Sequence, residues 1–174
     1  MPKIVDHDAY RLELASRAVH VFRELGYHGL GMRQIADELG VSKSALYHYF
    51  ASKKDLFEAC SKIVSNAPLP AVPEDASSDE RYAALISFAL ELDTDFLGEL
   101  SLLIDYIRPL TSDELRGNET LRSARRSFET SIAGIVGSTE ASATLNQLLG
   151  ILVMRVLDGG ETGFESLRPF CAVP

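Results

Sequence analysis

The stretch Ile35–Phe50, IADELGVSKSALYHYF, decides the fold, because it contains two short helical patterns joined by a Gly-Val-Ser turn. In the first pattern, apolar residues recur on one helical face. Gly40 follows, and glycine ends helices by adopting the left-handed conformation at little cost. Ser42 then stands where an N-cap is expected for a second helix, residues 43–50. The stretch therefore predicts a helix-turn-helix.

The second helix of this stretch has an inner and an outer face. Leu46 and Phe50 are four residues apart, so both are predicted to point into a core. The predicted outward residues are Lys43, Ser44, Tyr47 and His48. A face of lysine, hydroxyl groups and rings suits a DNA groove. An ordinary helical hairpin, whose polar face meets only water, explains the same pattern.

The flanking residues favour the DNA-binding alternative. Gly26–Tyr27 precedes the helix-turn-helix, and the motif SKKDLF, Ser52–Phe57, follows it. Together with IA and LGVSKSALYHYF, these motifs resemble the DNA-binding domain of the TetR, or tetracycline-repressor-like, family over about Leu14–Phe57. The resemblance implies an all-α fold with an N-terminal three-helix DNA-binding domain that contains the helix-turn-helix. A helical ligand-binding and dimerisation domain is expected to follow it.

The resemblance also implies roles for single residues. The residues expected to reach base edges are Arg33, Lys43, Ser44, Ala45 and His48, and those expected to contact phosphate are Tyr47, Tyr49 and Lys53. Arg33 is the best candidate for reading guanine, because its planar guanidinium can bond O6 and N7 together. His48 is equally compatible with a packing role. Leu30 and Gly31 stand where the family usually has threonine or serine, which predicts a weaker helix cap.

The rest of the chain reads as helices separated by helix-breaking residues. We predict a DNA-binding domain over residues 1–51 and a regulatory and dimerisation domain over residues 52–174. The second domain begins with a connecting helix at 52–65 and a linker at 66–78, which contains three prolines. Residues 1–7 are predicted to be a frayed arm. Further helices are predicted at 8–25, 78–92, 95–107, 121–136 and 139–157, with no strands.

The helix at 139–157 is apolar on almost every side after Leu145, so it needs cover all round. We expect a second copy of the chain to supply part of that cover, in a four-helix interface with the helix at 121–136. The predicted interface residues are Phe128, Ile132, Leu145, Leu148, Leu149, Leu152, Val153 and Val156. The alternative is a central helix buried within one subunit.

A small-molecule ligand that releases the DNA is a further implication of the resemblance. We expect its pocket among the helices after the linker, with Asp93 or Arg108 as polar groups. The predicted lining residues are Phe88, Phe96, Leu103, Tyr106 and Phe128. Aromatic residues at helical spacing are more often plain core, so packing is the competing explanation for this group.

The distribution of charge and the spacing of the two cysteines limit which parts of this chain can bind DNA or a metal ion. The formal charge is −8, yet residues 1–66 hold 9 Lys and Arg against 8 Asp and Glu, whereas residues 67–174 hold 8 against 17. The first segment is therefore the one not repelled overall by phosphate. Cys60 and Cys171 lack metal-ligand spacing, and Cys60 fits a buried apolar residue better than a redox sensor.

No cofactor, metal or catalytic constellation is predicted, because the four histidines all lie in the first 48 residues without metal spacing. The N-terminus lacks the apolar run of a signal peptide, and the apolar stretch Leu148–Leu157 is too short to cross a bilayer. We therefore expect a cytoplasmic, homodimeric transcriptional regulator, most often a repressor in this family, that binds double-stranded palindromic DNA. The alternative is a dimeric interaction module with a degenerate DNA-binding head.

Overall fold

The computed structural model describes residues 6–65 and 72–172, and its regular elements there are all helical. In chain order the helices are α1 (His7–Leu25), α2 (Met32–Glu38), α3 (Lys43–Tyr49), α4 (Lys53–Ser65), α5 (Ser78–Ile107), α6 (Ser112–Gly117), α7 (Glu119–Val136), α8 (Ala141–Asp158) and a 3₁₀ helix (Glu165–Cys171). The described residues form two compact units, 6–65 with 98–121 and 72–97 with 122–172. The all-α prediction is confirmed.

The first unit is built on an aromatic cluster beneath the helix-turn-helix. The ring of Phe57 on α4 lies 5.7 Å from Phe22 of α1, 4.9 Å from Tyr27 and 4.5 Å from Tyr106, measured between ring centroids. Edge-to-face and stacked ring pairs at these distances add to the stabilisation from buried apolar area. The same core encloses Leu46 and Phe50 completely. Their predicted inward orientation is confirmed.

The turn between α2 and α3 has the local chemistry that its sequence predicts. Gly40 has φ +67°, which a residue with a Cβ rarely adopts. The next backbone N–H, that of Val41, donates to the carbonyl of Ala36 at 2.9 Å. The hydroxyl of Ser42 then accepts the backbone N–H of Ala45 at 3.1 Å, so Ser42 is the N-cap of α3.

The start of α2 confirms the predicted weak cap. Its N-cap residue is Gly31, which has no side chain to accept a backbone N–H. Instead, the side-chain oxygen of Gln34 accepts the N–H of Gly31 at 2.8 Å. The helix therefore keeps only the half of a capping box in which the N3 residue reaches back.

The loop that joins α1 to α2 is held by two charged side chains from later in the sequence. The ammonium of Lys53 donates to the carbonyls of Tyr27 and Leu30 at 2.8 and 2.9 Å. The carboxylate of Asp105 accepts the backbone N–H groups of Tyr27 and His28 at 2.6 and 2.7 Å. These four hydrogen bonds satisfy backbone groups that no regular element serves.

The second unit places one side of α8 in its core. Its fully buried large side chains include Leu85, Ile132, Ile135, Leu148, Leu152 and Leu167. Arg155 joins α8 to α5 through two hydrogen bonds to the carboxylate of Asp93, at 3.0 and 2.8 Å. It also donates to the carbonyls of Gly160 and Thr162, which fixes the turn after the helix.

Several predicted boundaries change. The two helices predicted at 78–92 and 95–107 are one continuous α5, because Thr94 hydrogen-bonds back to the carbonyl of Leu90 and does not interrupt the helix. His7, predicted to lie in a frayed arm, begins α1, since Asp6 accepts the N–H groups of Asp8 and Ala9. Residues 1–5 and 66–71, the latter part of the predicted linker, lie outside the described residues.

The boundaries of the two compact units differ from those of the predicted domains, 1–51 and 52–174. Helix α4 and residues 98–121 pack in the first unit, with the helix-turn-helix. The reason is visible in the core, since Phe57 of α4 and Tyr106 of α5 stack on each other there. A division by function remains a prediction.

Candidate nucleic-acid interface

The outer face of α3 is a polar and aromatic surface. Tyr47 keeps 44% of its surface exposed, while Leu46, one residue earlier, is fully buried. Lys43, Ser44 and His48 are also exposed. A helix of this kind, anchored by one face and open on the other, is what a DNA major groove accepts.

Two of these side chains already interact across the face. The ammonium of Lys43 lies 5.6 Å from the centroid of the Tyr47 ring, a cation–π distance. The hydroxyl of Ser44 shares a hydrogen bond of 3.1 Å with that of Ser42. The cation and the phenol of α3 are therefore held close to each other, with their polar ends available to a ligand.

The other predicted base-contact residues differ in exposure. Arg33 lies on α2 and is exposed, so its guanidinium is open to a partner. Ala45 is half-buried, which leaves its methyl group as a small apolar contact of the kind that suits a thymine methyl. Their roles toward DNA remain predictions.

His48 and Tyr49 form an aromatic group with α1. The Nε2 atoms of His48 and His7 are 3.2 Å apart and share a hydrogen bond. The Tyr49 ring lies 4.5 Å from His7, 5.1 Å from His48 and 5.2 Å from Tyr10, between centroids. Tyr49 is thus half-buried against α1, and its phosphate contact remains a prediction.

Arg11 of α1 contacts both the C-terminal end of α3 and helix α4. Its Nε donates to the carbonyl of Tyr49 at 3.1 Å, and its guanidinium lies 4.6 Å from the centroid of the Phe50 ring. A salt bridge of 3.0 Å joins it to Asp55 of α4. Cations near a helix C-terminus are favourable for the helix dipole. Sequence reasoning missed Arg11, because its partners are 38 to 44 residues away.

Lys53, predicted to contact phosphate, has a different role in the structure. Two of its three N–H donors are used by the carbonyls of Tyr27 and Leu30, and its ammonium lies 4.4 Å from the Tyr27 ring centroid. Burial lowers the pKa of this ammonium, opposed by the charge of Asp105. Lys53 therefore serves first to hold the α1–α2 loop, and only one donor is left for another partner.

Burial within a single chain bears on the predicted dimer interface, which stays a prediction. Ile132, Leu145, Leu148 and Leu152 are buried in the core of the second unit, so they have almost no surface left for a second copy. Leu149 and Val153 remain open at 42% and 37% exposure. Phe128 and Val156 are half-buried. The available apolar surface of α8 is formed by Leu149, Val153, Met154 and Leu157.

The five residues of the predicted ligand pocket are divided between the two compact units, and the pocket stays a prediction. Tyr106 belongs to the aromatic core of the first unit, where its hydroxyl accepts from Asn118 at 3.0 Å, and Leu103 is exposed. Phe88 and Phe96 are buried in the second unit, and Phe128 is half-buried there. Asp93, proposed as a polar handle, is engaged by Arg155.

The second unit also contains an open groove of about 300 Å³ along α7 and the start of α8. It is lined by Arg126, Glu129, Thr130, Ala133, Ser138, Ala141 and Ser142. The predicted pocket residues do not line this groove. Its hydroxyl groups and charges were not singled out in the sequence, since they read as an ordinary solvated helix face.

Cys60 behaves as an apolar core residue. It is 4% exposed, and its thiol donates to the carbonyl of Ala15 at 3.2 Å. Burial raises the pKa of this thiol to about 12. Cys171 is buried as well. The buried interpretation of Cys60 is confirmed.

Residues 6–65 and 72–172 form neither a membrane-spanning helix nor a cluster of metal ligands. None of the helices found there is long and apolar enough to cross a lipid bilayer. Within the same ranges, no three His, Cys, Asp or Glu side chains lie together in a way that would hold a metal ion.

Comparison with known proteins identifies what this chain resembles. Residues 14–60 match the family described as "Bacterial regulatory proteins, tetR family". The HTH-type transcriptional regulator RutR of Escherichia coli O157:H7 is 33% identical over 136 residues, which are 75% of this chain and 63% of that protein. The HTH-type transcriptional activator FasR of Mycolicibacterium smegmatis is 48% identical over 52 residues, 30% of this chain and 24% of FasR.

A solved structure extends the likeness over nearly the whole chain. The multidrug binding protein EbrR, complexed with imidazole, superposes with a TM-score of 0.60 at 23% identity, covering 94% of this chain and 96% of that chain. At this identity the likeness shows the fold alone. The chain spans less than two thirds of the length of RutR.

Proposed function

This chain belongs to the TetR family of bacterial regulatory proteins, and we propose that it regulates transcription by binding DNA through the exposed face of α3. The observation that carries the proposal is the division of that helix. Leu46 is fully buried, as is Phe50 just after the helix, while Lys43, Ser44, Tyr47 and His48 are exposed beside it.

The exposed residues divide by chemistry into two roles. Arg33, Lys43, Ser44, Ala45 and His48 are the proposed base-contact residues, because they offer donors and one methyl group to base edges. Tyr47 and Tyr49 are the proposed phosphate contacts through their hydroxyl groups, with the third N–H of Lys53 as a weaker addition. Phosphate contacts give affinity and salt dependence, whereas the base contacts give sequence preference.

We propose a homodimer as the DNA-binding form. Leu149, Val153 and Leu157 recur at four-residue steps on α8 and are exposed, which supports contact with a second copy through this helix. A twofold dimer repeats the α3 face, so two successive major grooves 34–36 Å apart can be read together. The expected operator is therefore an inverted repeat.

A small molecule is the proposed signal, and the cytoplasm is the proposed compartment. EbrR, whose fold is shared, is a multidrug binding protein solved with imidazole. The open groove along α7 and the start of α8 is a site in the second unit where such a ligand could lie, which supports the proposal. Repression is the proposed sign of regulation, although the relative FasR is an activator.

Selection of bound duplexes from a random DNA pool tests the proposal. We expect the wild-type protein to enrich an inverted repeat and Tyr47→Ala to lose it, because the variant removes an exposed ring and hydroxyl from α3. Arg116→Ala, which removes an exposed cation of α6, is the control and should enrich the same sequence. Circular dichroism and sedimentation should show that both variants remain folded and dimeric.

The competing function is an interaction module whose head no longer reads DNA. Failure of the folded, dimeric wild-type protein to enrich any duplex would favour it. Loss of enrichment in both variants alike would also count against α3 as the reading surface.

A further inference from the structure

The hydrogen bond between His7 and His48 joins the start of α1 to the outer face of α3. Their Nε2 atoms are 3.2 Å apart, and the two rings meet edge to face with centroids 5.1 Å apart. Both residues are exposed. Tyr49 packs against both rings, so the group is ordered by three aromatic contacts as well as by the hydrogen bond.

This contact fixes which nitrogen of His48 is available to DNA. Nε2 is engaged by His7, and Nδ1 is therefore the ring nitrogen left for a base edge. A neutral imidazole has one donor and one acceptor nitrogen. If His7 donates from its Nε2–H, the proton of His48 must be on Nδ1, and His48 then offers Nδ1–H as a donor.

The surroundings decide between the two tautomers once DNA is present. In the major groove, guanine presents two acceptors, N7 and O6, and thymine presents O4. The negative potential of the phosphates also favours an outward N–H over an outward lone pair. The arrangement with His7 as donor and His48 as acceptor at Nε2 is therefore the one that DNA stabilises.

We propose that His7 is a positioning residue, which holds the imidazole of His48 so that Nδ1–H can donate to an acceptor on a base edge. This inference rests on the proposed function, because it assigns a partner to one residue of the α3 face. It makes sequence preference at one base pair depend on a residue of α1 that does not itself touch the base.

His7 can be replaced without removing the elements that start α1. The carboxylate of Asp6 accepts the N–H groups of Asp8 and Ala9, both at 3.1 Å, and this cap does not involve the side chain of His7. His7→Ala should therefore fold. His7→Gln is the conservative variant, since an amide of similar reach can donate to Nε2. His20→Ala, an exposed histidine on the same helix, is the matched control.

The first measurement needs no DNA. Long-range ¹⁵N–¹H spectra of the imidazoles report which ring nitrogens carry protons and which accept hydrogen bonds. We expect the His48 signals to change in His7→Ala, to be largely restored in His7→Gln and to stay unchanged in His20→Ala. Unchanged His48 signals in His7→Ala would overturn the inference.

The second measurement uses the selected duplex and its single-base variants. We expect His7→Ala to weaken binding by about threefold to tenfold, the range for one hydrogen bond, and to flatten the preference at one base pair. His48→Ala should reduce the preference at the same base pair. The double variant should bind with the same affinity as each single variant, within about twofold. His7→Gln should restore the preference.

The two measurements separate the inference from the proposed function. Coupled imidazole signals without any enriched duplex would mean that DNA reading fails, and His7 would then be only a surface contact. If a duplex is enriched but His7→Ala and His48→Ala lower its affinity independently, so that their effects multiply, the proposed function is supported. The positioning role of His7 is then overturned.

Discussion

The ammonium of Lys53 lies 4.4 Å from the centroid of the Tyr27 ring and donates a 2.8 Å hydrogen bond to the carbonyl of the same residue. A second bond reaches the carbonyl of Leu30. The first residue of α4 thus fixes the entry into α2, and through it the helix-turn-helix. A lysine at this position stabilises the loop more directly than it can serve a ligand.

Lys53→Met should lower the free energy of unfolding by about 1–3 kcal/mol, because two backbone carbonyls lose a charged donor. Urea denaturation followed by circular dichroism measures the change. Lys54→Met is the matched control, since Lys54 is exposed and lies 3.8 Å from Glu58, within one helix. We expect the control to change stability by less than about 0.5 kcal/mol.

The salt dependence of DNA binding tests the same lysine in another way. If Lys53 holds the loop and its third N–H adds only a weak phosphate contact, the slope of log affinity against log salt should fall by much less than one in Lys53→Met. Loss of a phosphate contact would reduce that slope by about one. A reduced slope with unchanged stability would restore the original prediction of a phosphate contact.

Asp105→Asn should destabilise the protein at neutral pH, with a smaller effect in acid. The hydrogen bond from the N–H of His28, followed by that from Tyr27, lowers the pKa of the Asp105 carboxyl. A carboxylate with a lowered folded pKa contributes stability above its ordinary pKa, and this contribution is lost as the pH falls through the folded value. Urea denaturation at pH 7 and pH 2.5 should show a difference from wild type that is smaller at pH 2.5 than at pH 7.

Asp37→Asn is the control for that experiment, because Asp37 is an exposed carboxylate of α2. It should change stability little at either pH. An Asp105→Asn effect of equal size at both pH values would contradict the ionic contribution and indicate that the amide merely fits the loop poorly.

Leu149→Glu combined with Val153→Glu should convert the proposed dimer to monomer. In a twofold interface each substitution is present in both copies and therefore buries two unpaired carboxylates. This should raise the dissociation constant of the dimer at least about a hundredfold. Sedimentation velocity over a concentration series measures it. Leu12→Glu, at a leucine of α1 that is 61% exposed, is the control and should stay dimeric. A dimeric double variant would place the interface elsewhere.

Both thiols should be unreactive in the folded protein. A thiol with a pKa of about 12 is thiolate in only ~10⁻⁴ of molecules at pH 8, and Cys60 is almost entirely buried. We expect a chromogenic disulfide reagent to label neither Cys60 nor Cys171 until urea is added. Rapid labelling that disappears in Cys60→Ala would reopen the redox-sensor hypothesis.

The helix-turn-helix was predictable because its signals are local. Gly40 and Ser42 act on the backbone within a few residues, and Leu46 and Phe50 show their inward orientation by helical spacing alone; the structure confirms each of them. The partners of His7, Arg11 and Lys53 are 23 to 44 residues away, so helical periodicity contains no information about them. The exposed residues of α3 were therefore predicted correctly from the sequence. The contacts through which His7, Arg11 and Lys53 hold the neighbouring structure were not.

The apolar helix α8 shows the same limit for packing. The sequence indicates that α8 is apolar on most sides, but not which neighbour covers each side. The structure assigns Leu145, Leu148 and Leu152 to the chain's own core and leaves Leu149 and Val153 exposed. Likewise, Asp93 was predicted as a polar group of a ligand pocket, because its ion pair with Arg155, 62 residues away, cannot be predicted from helical spacing.

The separation of buried and exposed positions around α3 has an evolutionary consequence. Leu46 and Phe50 carry the packing, whereas Lys43, Ser44, Tyr47 and His48 extend outward. After a gene duplication, mutations at the outward positions can therefore change the preferred promoter of one copy while the scaffold is inherited intact. A change of specificity at these sites costs little folding stability. Selection against such a change must therefore act through the regulated genes and not through folding.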